Sequence, residues 1–355
     1  MRKCVLVFLL LGLMASVASA TSDWEGDVSN DWADGENWSD GGPSETERRD
    51  IALNGPYGPP VVSADSTAGV IHMGRTNTGQ TIENSTLTIS AGTLTVASAG
   101  NELVSVSYDN TTNNLVVDGG NLVVYHNGGA GTGEIRLQHV ANTASVGYLY
   151  LYSGSIDTEQ LNLGSRDGLG TFIAEGGTLT IRRRIDKFGL VETNSAYGFN
   201  LGGATLEMAG LTDRDSVIGD IGIGTGGASD FFMDSTSTVV FDLGLSANKG
   251  GVAGIDWDQI TSNGNYTLDG ELMVRFLEAA SVDDYWDVWT VNSANASLYS
   301  GSGDLDALTL PDNIVASWID TGNGTDTLRL TYIPEPATIA LLGLGLLAIR
   351  RRNRK

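Results

Sequence analysis

Residues 87–96 read LTISAGTLTV and residues 115–124 read LVVDGGNLVV. In each stretch an apolar residue is followed by others two, seven and nine positions on: Leu87, Ile89, Leu94 and Val96, then Leu115, Val117, Leu122 and Val124. A strand places residues i and i+2 on one side, so each stretch predicts two short strands joined at a corner. The corners carry glycine, in Ala91-Gly92 and Gly119-Gly120, a residue free to take the positive φ that turns a chain onto a new face. The spacing of seven recurs in Leu149 and Ile156, Phe172 and Leu179, and Phe199 and Leu206. Second inward positions follow at Leu151 and Thr158, Ala174 and Ile181, and Leu201 and Met208, with corners at Ser153-Gly154, Gly176-Gly177 and Gly202-Gly203.

Measured between Leu94, Leu122, Ile156, Leu179 and Leu206, the units recur after 28, 34, 23 and 27 residues. The variation therefore falls outside the strand pair, where Val104 and Val106, Ile135 and Leu137, and Leu161 and Leu163 mark a third, looser strand. Three short strands per turn with insertions at one corner predict an all-β chain, a right-handed parallel β-helix (solenoid), over residues 61–230. One coil alone cannot bury its apolar side, but stacked coils make a continuous column.

Outside the repeats, residues 21–60 form a head with Trp24, Trp32 and Trp38 set among Asp27, Asp31, Asp34, Glu36, Asn37 and Asp40. Tryptophans in this setting either cap an open solenoid end or, if exposed, stack on sugar rings. Residues 231–333 predict a β-rich C-terminal domain, with strands at Val239–Leu243, Leu268–Phe276, Trp286–Val291, Val315–Ile319 and Leu328–Tyr332. Such an end is needed physically, because an open coil leaves an unpaired strand edge.

The two ends read as targeting segments. Met1-Arg2-Lys3, the apolar run Val5 to Leu13 and Ala18-Ser19-Ala20 have the order of a secretory signal peptide over 1–20, cleaved after the A-x-A site formed by Ala18 and Ala20. At the other end stand Pro334-Glu335-Pro336, an apolar run over 337–349, and Arg350, Arg351, Arg352, Arg354 and Lys355. Proline fixes φ and donates no backbone hydrogen bond, so the triplet stays extended and clear of neighbouring strands. The thirteen-residue run would make a helix of about 20 Å against roughly 30 Å of hydrocarbon. It spans only if the flanking arginines snorkel or the bilayer thins. The basic tail over 350–355 then stays in the cytoplasm.

This arrangement over 334–355 resembles the PEP-CTERM sorting signal of Gram-negative, exopolysaccharide-producing and related environmental bacteria. The resemblance implies that Pro334, Glu335 and Pro336 are recognised by exosortase, a membrane transpeptidase-like enzyme, so that the chain is a substrate of that enzyme. It implies passage through the secretion machinery, transient residence in the inner membrane by a short C-terminal transmembrane helix, and final placement at the cell surface or outside the cell. An exopolysaccharide is an expected partner. The Trp-rich head resembles the N-terminal segment of PEP-CTERM and autotransporter-like passengers, which implies that it opens a β-rich domain. Asp256-Trp257-Asp258-Gln259-Ile260 followed by Leu268-Asp269-Gly270-Glu271-Leu272 resembles their terminal region, which implies a β-rich cap that closes the solenoid.

Composition sets limits. The single cysteine, Cys4, lies in the signal peptide, leaving no thiol for a disulfide, a metal site or a nucleophile. With Arg2, Lys3 and the five basic tail residues set aside, 13 basic residues face 43 acidic ones between Thr21 and Pro336, a net charge of −30. That excludes the basic footprint nucleic acid requires and disfavours anionic lipid head groups.

The competing reading is a carbohydrate-binding or polysaccharide-degrading β-helix. Opposite charges cluster at Arg182-Arg183-Arg184 with Asp186 and Lys187, and at Asp213-Arg214-Asp215. Alternation from Ile181 would point Arg183 inward, so the strand is expected to end there and leave the run on a solvated corner. His72, His126 and His139 have no partner at a metal-ligand or triad spacing, and no G-x-S-x-G elbow occurs. The expectation is therefore no catalytic residue, no metal and no cofactor. Loop calcium at Asp31, Asp34, Glu36 or Asp40 is the alternative that acidic clustering keeps open.

Overall fold

A computed structural model describes residues 21–42, 47–75, 82–99, 102–108, 111–128, 133–138, 145–165, 169–188, 198–209, 220–223, 230–233, 235–262, 266–268, 270–292, 305, 309–321 and 325–333. The expected signal helix over 1–20 and transmembrane helix over 337–349 lie outside these residues. Among the described residues the chain is nearly all β; short 3-10 turns occur at Gly35–Asn37 and Ala247–Lys249, and no helix is long and apolar enough to cross a membrane.

The strands fall into three faces, each a ladder of parallel strands. Along the first face stack Val61–Val62, Thr86–Ile89, 112–117, 146–151, Leu169–Ala174, Gly198–Asn200, Asp230–Met233 and Tyr266–Leu268. Along the second stack Ser66–Ala68, Thr93–Ser98, 121–126, 155–158, 178–181, Thr205–Met208, Thr238–Leu243 and Glu271–Phe276. The third begins at Thr21–Asp23 and Arg48–Ile51 and continues through Val70–Met73, Glu102–Ser105, Glu134–Arg136, 160–162, 184–186, Asp220–Ile223 and Gln259–Ser262 to 289–291. The chain visits the faces in the order first, second, third and then pairs with the coil before it, the arrangement expected of a β-helix.

Register follows the spacing of seven. Leu87, Leu115, Leu149 and Phe172 stand rung on rung on the first face, and Leu94, Leu122, Ile156, Leu179, Leu206, Val239 and Leu272 on the second. On the third, Ile71, Val104, Ile135, Leu161 and Ile185 continue the pattern. All of these are fully buried, and each aliphatic side chain so buried is worth roughly 1.5–3 kcal/mol as an upper bound. Thr158 is the polar member of a ladder, and its hydroxyl donates to Gly133 O at 3.0 Å. Beside it the buried Glu159 accepts from the backbone N–H groups of Gly133 and His126, at 2.5 and 3.3 Å, pinning the insertion of one coil to the corner of the next.

The corners need glycine because they stack as tightly as the strands. Gly177 has φ +83°, and a Cβ there would lie 2.7 Å from Gly154 O in the coil below. No side chain fits that distance, and the backbone conformation is left-handed.

Parallel stacking continues past Asp230, where the sequence suggests a change, and runs to Tyr285–Asn292. Apart from one further parallel bridge, Thr309 on Glu271, it gives way there to an antiparallel sheet, in which Thr325–Tyr332 lies between Tyr285–Asn292 and Ile314–Asp320. Trp286, Val288, Trp289, Leu328 and Leu330 are buried within it. At the other end, Thr21–Asp23 and Arg48–Ile51 are already rungs of the third face, so the head shares the stacking.

Candidate functional site

The sorting residues Pro334, Glu335, Pro336, Arg350, Arg351, Arg352, Arg354 and Lys355, and the cleavage-site residues Ala18 and Ala20, lie outside the described residues. Their point of attachment is within them. Thr325–Tyr332 is the middle strand of the end sheet, Tyr332 N donates to Asp284 O at 2.8 Å, and Ile333 N to Asn313 O at 2.9 Å. The fold is therefore hydrogen-bonded up to the residue that precedes Pro334.

In the head, Trp24, Trp32 and Trp38 are 0, 0 and 3% exposed, which removes them as sugar platforms. Their rings meet edge-on, 5.1 Å apart for Trp24 and Trp38 and 4.7 Å for Trp32 and Trp38. Beneath Trp38, at 5.0 Å, lies the guanidinium of Arg49, which is fully buried and paired with Asp40 and Glu47 at 2.9 and 3.0 Å. Two more of the acidic residues are occupied locally: Asp31 Oδ1 accepts from Ala33 N at 3.0 Å and Asp34 Oδ1 from Glu36 N at 3.1 Å. The carboxamide of Asn37 accepts from Val28 N and Ser29 N and donates to Asp31 O. The structure does not bring Asp31, Asp34, Glu36 and Asp40 together, and among the described residues no three His, Cys, Asp or Glu side chains are placed to share a metal ion.

The arginine run departs from the expected strand end. Thr178–Phe188 is one continuous strand that bends at a corner: Ile181 pairs with Thr158 and Arg184 with Gln160, leaving 182–183 to span the shift. Alternation is broken there, so Arg183 points to solvent. Arg182 forms a two-pronged ion pair with Asp157 at 2.8 and 2.9 Å. Only Arg183 is exposed, whereas Arg182 is buried and Arg184 half-buried, so the run is not the solvated corner expected, and the strand does not stop.

His72 is buried on the third face, with Asp50 Oδ1 3.5 Å from its Nδ1 and Tyr108 stacked at a tilt 5.1 Å away. Asp50 is itself fully buried and held by Arg48 through two contacts of 2.9 Å. Burial lowers the His72 pKa, outweighing the pull of Asp50 in the other direction, with the positive charges of Arg48 and Arg75 acting alongside burial. The ring is thereby kept neutral at pH 7 within an ion-paired cluster. His126 Nδ1 accepts from Gly128 N at 3.3 Å, and His139 lies outside the described residues.

The feature that sequence reasoning missed sits on the outer side of the first face. Tyr148, Tyr150 and Tyr152 alternate along one strand opposite the buried Leu149 and Leu151. Their ring centroids are 5.8 and 5.7 Å apart, with interplanar angles of 25° and 20°. Asn114 and Val116 flank Tyr148 and Tyr150 on the preceding coil, and Thr171 and Ile173 on the following one. Exposed carboxylates stand at the rims, Asp118, which accepts from Ser153 Oγ at 3.0 Å, and Glu175. The signal was the Y-x-Y-x-Y alternation itself, visible in GYLYLYSG.

These observations define the class: an all-β chain of stacked parallel coils closed by an antiparallel sheet. A family model described as the PEP-CTERM protein-sorting motif matches residues 333–355. The chain carries that motif, which marks an exosortase substrate bound for the cell surface or the extracellular space. No curated protein matches the chain.

Proposed function

We propose that this chain is a non-catalytic surface or matrix protein, delivered and displayed by an exosortase-type system. In this reading residues 1–20 are removed on export, and the passenger folds as a right-handed, autotransporter-like parallel β-helix. The short helix over 337–349 then arrests it in the inner membrane, with Arg350, Arg351, Arg352, Arg354 and Lys355 on the cytoplasmic side. Processing near Pro334-Glu335-Pro336 moves the passenger to its final place.

The observation that carries the reading is the junction. The motif match begins at Ile333, the residue that follows the middle strand of the end sheet. Residues 333–336 reach at most about 14 Å when fully extended. In this reading the end sheet stays close to the membrane surface until the chain is cut, with the triplet as the link between them. Of the two charged clusters, Asp213-Arg214-Asp215 lies outside the described residues, and in the other the Arg182 guanidinium is committed to Asp157.

The test replaces Pro334, Glu335 and Pro336 by alanine in the producing cell. The expected result is an uncut C-terminus by mass spectrometry and accumulation in the inner membrane. An unchanged mature C-terminus and unchanged location overturn the proposal.

A further inference from the structure

We infer that the outer side of the first face, centred on Tyr148, Tyr150 and Tyr152, is a binding surface for a neutral glycan chain. It goes beyond delivery: the choice of ligand rests on the surface location proposed above, whereas the site rests on its own geometry.

Alternate residues of a strand stand about 6.7 Å apart and share a side, so the backbone sets the row. The ring centroids stand 5.8 and 5.7 Å apart with planes 25° and 20° from parallel, farther than the about 3.5–4.0 Å of direct carbon contact, so the rings do not seal one another's faces. Tyr152 is 39% exposed. Every ring stands on a strand whose inward residues Leu149 and Leu151 are fully buried, so the backbone that carries the row is already ordered before binding. A row of this kind offers what a sugar chain needs, apolar faces for the C–H sides of successive rings and phenol hydroxyls at the edges.

The rims fix the chemical class. Asp118 and Glu175 accept hydrogen bonds from hydroxyl groups, and Asn114 both donates and accepts. The same two carboxylates, in a chain of net charge −23, repel an anionic polymer. They also oppose a second copy of the face, because two such faces laid together would bring like charges into contact. A neutral polyhydroxylated polymer meets neither penalty.

The experiment uses the full-length chain in detergent, spun down with amorphous cellulose, β-1,3-glucan, mannan or galactan, and with alginate as the anionic polymer. Retention is expected on a neutral polymer and not on alginate. The combined Tyr148→Ala, Tyr150→Ala, Tyr152→Ala variant should bind at least about tenfold more weakly, as the loss of several ring contacts implies. The corresponding triple phenylalanine variant should recover most of the affinity, because the ring faces remain. Glu175→Ala, an exposed change that leaves the row intact, should weaken binding with no change in melting temperature.

No retention on any neutral polymer, equal retention on alginate, or equal retention of the alanine variant each overturns the site. So does a tyrosine-dependent dimer on gel filtration in place of glycan binding. Sorting is scored in cells, so failure of this test leaves delivery standing, and failure of the triplet test leaves this site standing.

Discussion

Trp38 donates its indole N–H to Trp32 O at 2.9 Å while the two rings meet edge-on at 4.7 Å and 80°. The contact joins two parts of the head over the first rungs of the third face and seals them from water. Replacing Trp38 by alanine removes a buried indole, the cover over Arg49 and one hydrogen bond together. The expected loss is about 3–5 kcal/mol in denaturant unfolding, with no effect on glycan retention measured under folding conditions. A variant of unchanged stability would show that the head is not packed as described.

Stability should fall on mild acidification through His72. Its pKa is lowered from 6.5 by burial, so between that value and the ordinary one the unfolded chain binds the extra proton. The contribution is full above about pH 6.5 and is lost as pH falls through the depressed value. Asp50 faces the ring as the favourable charge, and Arg48 and Arg75 as the unfavourable ones. Melting temperatures of the wild type should drop from about pH 7.5 to about pH 5, and His72→Gln should flatten that part of the profile. An equal slope in the variant would remove His72 as its source.

A second acid window belongs to Asp284. Burial pushes its carboxyl up, but Lys249 Nζ at 2.6 Å and the Ser281 N–H at 2.7 Å outweigh this and hold it below 3.8. The stability it adds is present above 3.8 and lost as pH falls through the lowered value, below the range governed by His72. Lys249→Met should therefore reduce the difference in melting temperature between about pH 5 and about pH 3. An unaltered difference would assign that slope to other carboxylates. The variant should leave the profile above about pH 5 as it was.

The first and second faces were legible because a single corner joins them, so the spacing of seven survives in every unit from Leu87 to Leu206. The third face was only glimpsed. Insertions of unequal length precede it, as between His126 and Glu134, and its partners are fixed by stacking rather than by local spacing. The continuation past Asp230 was hidden for the same reason: Thr238–Leu243 pairs with Thr205–Met208 across an intervening stretch of changed composition. Arg183 defeated the alternation rule because the register shifts by one residue there, 182–183 lying opposite Glu159 alone. The tryptophans left a cap and a sugar platform both open because carboxylates surround them in sequence; in space Asp31 and Asp34 face turns, Asp40 faces Arg49, and the rings are buried. The sorting motif was legible in full, since its parts are contiguous and need no fold to be read. The tyrosine row was present in the sequence as alternation, but that its rings line up along one outer face follows only from the coil that buries Leu149 and Leu151.

Three glycines separate the two reasons for needing one. Gly128 has neither a positive φ nor a neighbour within 4 Å of an added Cβ, Gly250 has φ +90° but open space, and Gly177 has φ +83° with Gly154 O only 2.7 Å from that Cβ. Alanine at Gly128 should be neutral, and at Gly250 should cost about 1–2 kcal/mol from backbone strain alone. At Gly177 the same strain is joined by a clash that relaxes only if two coils move apart, so the loss should exceed that of Gly250. Because a coil contacts chiefly its neighbours, hydrogen exchange should accelerate in 155–158 and 178–181 and remain slow in Thr238–Leu243. Equal effects at Gly250 and Gly177, or exchange that quickens along the whole solenoid, would show that the corners are not packed coil on coil.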